Sequence, residues 1–85
     1  MKLLDKLKEL ENQYVFLRWV TGEEYGKILY VGEDFIEFGV IDTETMAYKE
    51  TELIYSPLIL EVCLGGADIA RIVAEISSKI SVENL

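Results

Sequence analysis

Residues 15–42, VFLRWVTGEEYGKILYVGEDFIEFGVID, decide the fold. Two breaks, Thr21-Gly22-Glu23-Glu24 and Gly32-Glu33-Asp34, divide this stretch into three runs of β-branched and aromatic residues, which read as consecutive antiparallel strands joined by tight turns. From Tyr14 to Val20 the alternation sets Val15, Leu17 and Trp19 against Tyr14, Phe16, Arg18 and Val20. Both faces are mostly apolar, so both need cover: a barrel interior for one, and the amino-terminal helix or a neighbouring subunit for the other. The second run, about 25–32, carries Gly26 where a strongly bent strand needs a missing side chain. The third, about 35–42, alternates more regularly, with Ile36, Phe38 and Val40 on one side.

On the amino-terminal side, Leu3, Leu4, Leu7 and Leu10 fall at helical spacing among charged residues and predict an amphipathic helix over about 2–11, ended by Asn12-Gln13. On the other side, Asp42-Thr43-Glu44-Thr45 is a hairpin corner, after which Met46 and Tyr48 begin a fourth strand, about 45–54. It turns either at Glu50-Thr51-Glu52 or at Ser56-Pro57; the second is favoured because proline has no N–H for a ladder. A fifth strand over about 58–64 places Leu58, Leu60, Val62 and Leu64 on one face. Gly65-Gly66 ends it, and residues 67–80 form a closing helix with Ile69, Ile72, Val73, Ile76 and Ile80 as its stripe. Arg71–Glu75 and Glu75–Lys79 are spaced for ion pairs on its other face, and Ser81 to Leu85 reads as a frayed tail.

Eighty-five residues make one domain, since a chain this short buries only about 60–65% of its unfolded surface. The expected class is mainly β: a small, strongly bent, five-stranded antiparallel barrel, SH3-like in kind, with a helix at each end. A hydrophobic content of 51% is high for so little interior, which points to burial between subunits. Sixteen acids against eight bases give a formal charge of −8, which repels phosphate backbones and anionic lipid. The lone Cys63 lies in an apolar run and reads as a small buried hydrophobe in an intracellular, cytoplasmic protein. Charges interrupt the first ten residues, so no signal peptide is expected, and no apolar run reaches the roughly 20 residues of a membrane span.

Helix, five short strands and tight turns in this order resemble the Sm/LSm family, including its Hfq-like members. The likeness covers Leu3 to about Leu64 and is best from Phe35-Ile36-Glu37-Phe38 through Met46-Ala47-Tyr48-Lys49, which is similar to the family's third and fourth strands in its leading phenylalanine and its Met-x-Tyr-Lys ending. Gly22-Glu23-Glu24-Tyr25-Gly26 is similar to the paired glycines of the first signature, one residue shorter between them. Among such barrels the chain looks most like the Sm-like proteins of marine metagenomes and cyanophages, which implies a host cytoplasm. The resemblance implies a closed homo-oligomeric ring, joined through the fourth and fifth strands, binding RNA or single-stranded DNA and serving in RNA processing, with Phe35 as the stacking aromatic and Lys49 as a phosphate or base contact. Arg18 and Lys27 would add a small basic face. Glu50 and Asp34 depart from the histidine and glutamine of Hfq-like members, and the second signature's arginine-glycine pair is absent. Two carboxylates in that pocket would repel phosphate.

Each residue also has a plainer reading. Phe35 and Trp19 fit strand cores, Arg18, Lys27 and Lys49 fit solvated single charges, and the acids at the turns fit a solvated rim rather than a site for Mg²⁺ or Ca²⁺. No histidine and no cysteine pair exist, so the commonest general base and a zinc site are both missing. The expectation is a protein without enzymatic activity, metal or cofactor. The alternative to nucleic-acid binding is an acidic protein-interaction or scaffolding barrel.

Overall fold

The computed structural model describes residues 2–83, with side chains up to residue 76. Helix α1 (Leu3–Glu9) leads into strands β1 (Tyr14–Trp19), β2 (Gly22–Val31), β3 (Phe35–Asp42), β4 (Ala47–Tyr55) and, after a 3₁₀ turn at Ser56–Leu58, β5 (Ile59–Cys63); helix α2 (Ala67–Glu83) follows. The five strands form one antiparallel sheet in the order β4-β3-β2-β1-β5. The architecture is mainly β, consistent with a small Sm-like barrel.

The bend centres on β2. Its first half pairs with β1 through Gly22–Lys27 and its second half with β3 through Gly26–Val31, so Gly26 stands in both ladders. A Cβ there would overlap the Gly39 carbonyl oxygen and come within 2.8 Å of Phe38 Cζ, which is the close approach that only glycine permits. Three register shifts add curvature: Leu29, Lys49 and Leu60 each stand unpaired between two ladder pairs.

Inside the curled sheet, Val15 and Leu17 of β1 meet Ile28, Ile36, Phe38 and Val40, with Ile54 and Ile59 from the two outer strands. Leu7 of α1 is wholly buried among them, so the amino-terminal helix plugs this interior and does not cover the outer side of β1. That outer side is covered by α2: Ile72 packs with Ile41 and Met46, against Tyr14, Tyr25 and Ile76. The Tyr25 hydroxyl donates to Asp68 Oδ2 at 3.2 Å, and the Arg71 guanidinium to the Thr43 carbonyl at 3.4 Å. Arg71 therefore reaches the β3–β4 corner, where the sequence paired it with Glu75. The Glu75–Lys79 pair and Ile80's place in the stripe lie outside the described side chains.

The first turn is Val20-Thr21 alone, and Glu23 and Glu24 belong to β2 because Gly22 already pairs with Trp19. Met46 closes the β3–β4 turn with φ 54° and does not start β4; its buried side chain joins the α2 cluster. Strand β4 runs on to Tyr55 and turns at Ser56-Pro57, as the proline implied. The bulge at Leu60 changes the parity of β5, so Ile59 and Val62 face the core while Leu58, Leu60 and Leu64 are exposed. Cys63 is exposed too, since its alternate position now lies outside. Helix α1 is shorter than its leucine spacing suggested, because the positive φ of Asn12 (68°) reverses the chain and Glu11 instead accepts from the Val31 N–H at 3.2 Å. Helix α2 continues through Glu83, past the start of the expected tail; residues 84–85 lie outside the described residues.

The surroundings of Tyr25 change its acidity. Desolvation by its packed neighbours raises the phenol above its ordinary value, and the hydrogen bond to Asp68 and the charge of that carboxylate raise it further. The neutral phenol is thus the folded state's preferred form, so the Tyr25–Asp68 link is whole below about pH 10 and is lost as pH rises through the raised value. In an absorbance titration the Tyr25 phenol is expected to ionise above the ordinary tyrosine range, and Asp68→Asn to lower it. Unchanged titration in Asp68→Asn would count against that link.

Candidate functional site

At one end of the barrel the β2–β3 loop and the β4–β5 turn are clasped together. The Ser56 N–H donates to the Asp34 carbonyl at 2.7 Å, and the Gly32 N–H to the Phe35 carbonyl at 2.8 Å. Phe35, the first residue of β3, is half-buried; its ring lies 5.9 Å from that of Tyr30 at 49°, and its backbone pairs with Tyr55 of β4. Tyr30 and Tyr55 are both exposed, so three aromatic residues gather at this end with open ring surface.

Beside them is a pocket of about 220 Å³ lined by Leu3, Leu4, Glu33, Asp34, Ser56 and Pro57. Ser56 is 8% exposed, and its hydroxyl oxygen has no hydrogen-bond partner.

The other sequence-derived residues lie elsewhere. Lys49 bulges from β4 six residues before Tyr55, about 20 Å along the strand from the Phe35 pair. It lines a groove of about 350 Å³ with Glu23, Glu24, Asp42 and Glu44, on a side where Phe16 and Tyr25 rings stand 4.8 Å apart. Arg18 is exposed on the outer face of β1, its Nε donating to Glu23 Oε2 at 3.1 Å and its guanidinium 6.0 Å from the Phe16 ring. Lys27 pairs with Tyr14 across the ladder, its ammonium 5.5 Å from that ring. Lys49 and Arg18's partner Glu23 thus share a groove, in which carboxylates outnumber the cation, while Phe35 stands apart from all three basic residues. Arg18 and Lys49 each lie beside carboxylates, and Lys27 lies beside the Tyr14 ring. Trp19 packs edge-on against Phe38, 6.3 Å between centroids, and joins the core.

Sequence reasoning missed Tyr30, Tyr55 and Ser56. Ser56-Pro57 signalled only a turn, and nothing local tells that this turn docks on Asp34. Among the described residues no group of three or more His, Cys, Asp or Glu side chains is placed to hold a metal ion, and no helix is long and apolar enough to cross a membrane. Comparison with protein-family models, with curated proteins and with solved structures finds no match to this chain.

Proposed function

We propose that the chain acts as a homo-oligomeric ring of Sm-like barrels, joined head to tail through β4 and β5 and offering its Phe35 end to single-stranded nucleic acid. The observation that carries it is the sheet order, which leaves β4 and β5 as the two edges. Each edge bears apolar side chains in the open: Leu53 at 70% and Tyr48 on β4, Leu60 at 66% and its neighbours Leu58 and Leu64 around β5. Beside β5, a groove of about 210 Å³ between Leu3 and Leu7 of α1, Leu10 just beyond it, and Leu60, Val62 and Leu64 is open to a side chain from a neighbouring edge. Pairing unlike edges satisfies both sets of backbone groups, and rotation closes the series.

Tyr30, Phe35 and Tyr55 support the ligand class, because base-on-aromatic stacking needs no basic groove. Fluorescence anisotropy with labelled U-rich, A-rich and single-stranded DNA oligonucleotides at low salt tests it. Phe35→Ala is expected to weaken binding about five- to 150-fold, from about 1–3 kcal/mol per stacked base. Silence from every probe, or indifference to Phe35→Ala, overturns the nucleic-acid reading.

A second reading, an acidic barrel that recruits a basic protein, is favoured by one specific arrangement: Arg18 is paired with Glu23, and Lys49 lies among carboxylates. Capture from nuclease-treated and untreated lysate separates the two, since a partner bridged by nucleic acid disappears with it.

A further inference from the structure

We propose that the Phe35 end selects guanine among the bases of a single strand, with the Glu37 carboxylate as the group that reads it. This rests on the nucleic-acid reading above and is independent of ring closure.

Glu37 stands among the aromatic residues. Along β3 the core takes Ile36 and Phe38, so Phe35 and Glu37 project from the opposite, outer face of the sheet. The ladder sets Glu37 opposite Tyr30 of β2 and Leu53 of β4, and Phe35 opposite Tyr55. Residues directly opposite in a ladder have Cβ atoms about 4.5–5.5 Å apart. Phe35 is one pleat, about 7 Å, along the strand from Glu37, so the carboxylate lies within a side chain's reach of both the Tyr30 and Phe35 rings. Helix α2 covers another part of the outer face, over Tyr14, Tyr25 and Ile41, and leaves Tyr30 and Tyr55 exposed. Glu37 is half-buried, and among the described residues its carboxylate has neither an ion pair nor a hydrogen bond.

A carboxylate can only accept, so it sorts bases by their donors. Guanine carries two donors side by side on its Watson–Crick edge, N1–H and the 2-amino group, which match the two carboxylate oxygens. Adenine and cytosine each place one amino donor beside an acceptor nitrogen, and uracil places one N–H between two carbonyls; in all three an acceptor would face the negative charge. Stacking on Tyr30, Phe35 or Tyr55 tolerates any base, and so the carboxylate makes the choice. Three rings over two ladder rows suit successive bases of a strand, whereas the arginine of a basic protein would use one of them. With no lysine or arginine on these rows, the strand is held by its bases and not by its phosphates.

The test uses the full chain and fluorescence anisotropy at about 0.15 M salt, where the chain's own charge is screened beyond about 8 Å. The probes are a labelled uridine hexanucleotide and three versions of it with one central position changed to guanosine, inosine or adenosine. A single guanosine prevents four-stranded assembly, and inosine keeps N1–H while lacking the 2-amino group. The guanosine strand is expected to bind at least about fivefold tighter than the uridine and adenosine strands, the discrimination of a bidentate base contact, with inosine in between. Glu37→Gln should weaken the guanosine strand at least about fivefold and tighten the uridine and adenosine strands, whose phosphates no longer face that charge, while far-UV circular dichroism stays that of the parent. Phe35→Ala should weaken all four strands. Equal binding of the four strands by the parent, equal binding of inosine and guanosine, or a guanosine preference that survives Glu37→Gln would each remove the guanine assignment and leave the stacking reading standing. Absence of binding to every strand would remove both. Displacement of the guanosine strand by blocked Gly-Arg-Gly, lost in Glu37→Gln and unaccompanied by any guanosine preference, would give the carboxylate to a basic protein and overturn the proposal.

Discussion

Gly26→Ala is expected to leave little folded protein at 25 °C. Overpacking a core costs about 1–3 kcal/mol when side chains can yield. Here the added methyl meets the Gly39 carbonyl oxygen, a backbone atom of the neighbouring strand, as well as the Phe38 ring. Neither can retreat cheaply, because Gly39 is itself hemmed by Tyr48 and Leu29 and Phe38 is wholly buried. The loss should therefore fall at the upper end of that range or beyond, a large part of the total stability of so short a chain. Circular dichroism with urea unfolding measures it. A variant with the parent midpoint would mean that β2 does not cross from one ladder to the other where Gly26 stands.

Charging the two edges should do the opposite, leaving the barrel folded and taking the proposed ring apart. Leu53 and Leu60 are the most exposed large apolar side chains on β4 and β5, so Leu53→Asp or Leu60→Asp should change monomer stability by no more than about 0.5 kcal/mol. In an edge-to-edge ring each substitution recurs at every seam and buries an unpaired carboxylate there, which costs several kcal/mol per contact. Light scattering coupled to size exclusion is expected to return a ring for the parent and a monomer for either variant. A monomeric parent would remove the ring; a variant that stays assembled would move the seam away from these strands.

The strands of this fold were legible because their signals are local. Gly26 announced the bend, alternation in Phe35 to Asp42 fixed the inward set, and Pro57 ended β4. Bulges were not legible. One extra residue at Leu60 reverses which side chains of β5 face inward, and only the pairing partner across the ladder determines where that residue falls. The same limit misplaced Cys63. The cover on β1 was misassigned for a related reason: α1 and α2 both carry an apolar stripe, and periodicity says that a helix must lie on something without saying on what.

For the candidate site, composition named the residue types and lost their neighbours. Phe35 and Lys49 are fourteen positions apart in sequence, and the hairpin that joins their strands sends them to opposite ends. Asp34 and Ser56 are farther apart in sequence and touch, since two loops meet where β3 begins and β4 ends. Tertiary closure, which no window of sequence contains, makes that contact.

The unpaired residues Leu29, Lys49 and Leu60 act as notches on a rack. A regular ladder can slide by two rungs and still mesh, keeping the same side chains inward. A ladder with a notch meshes at a single setting, because any slide would leave the odd residue opposed by a mate it has no room for. Since one notch lies on each outer strand, a newcomer docking there meets a surface already indexed, and copies of the chain could join at one alignment without any loop to guide them.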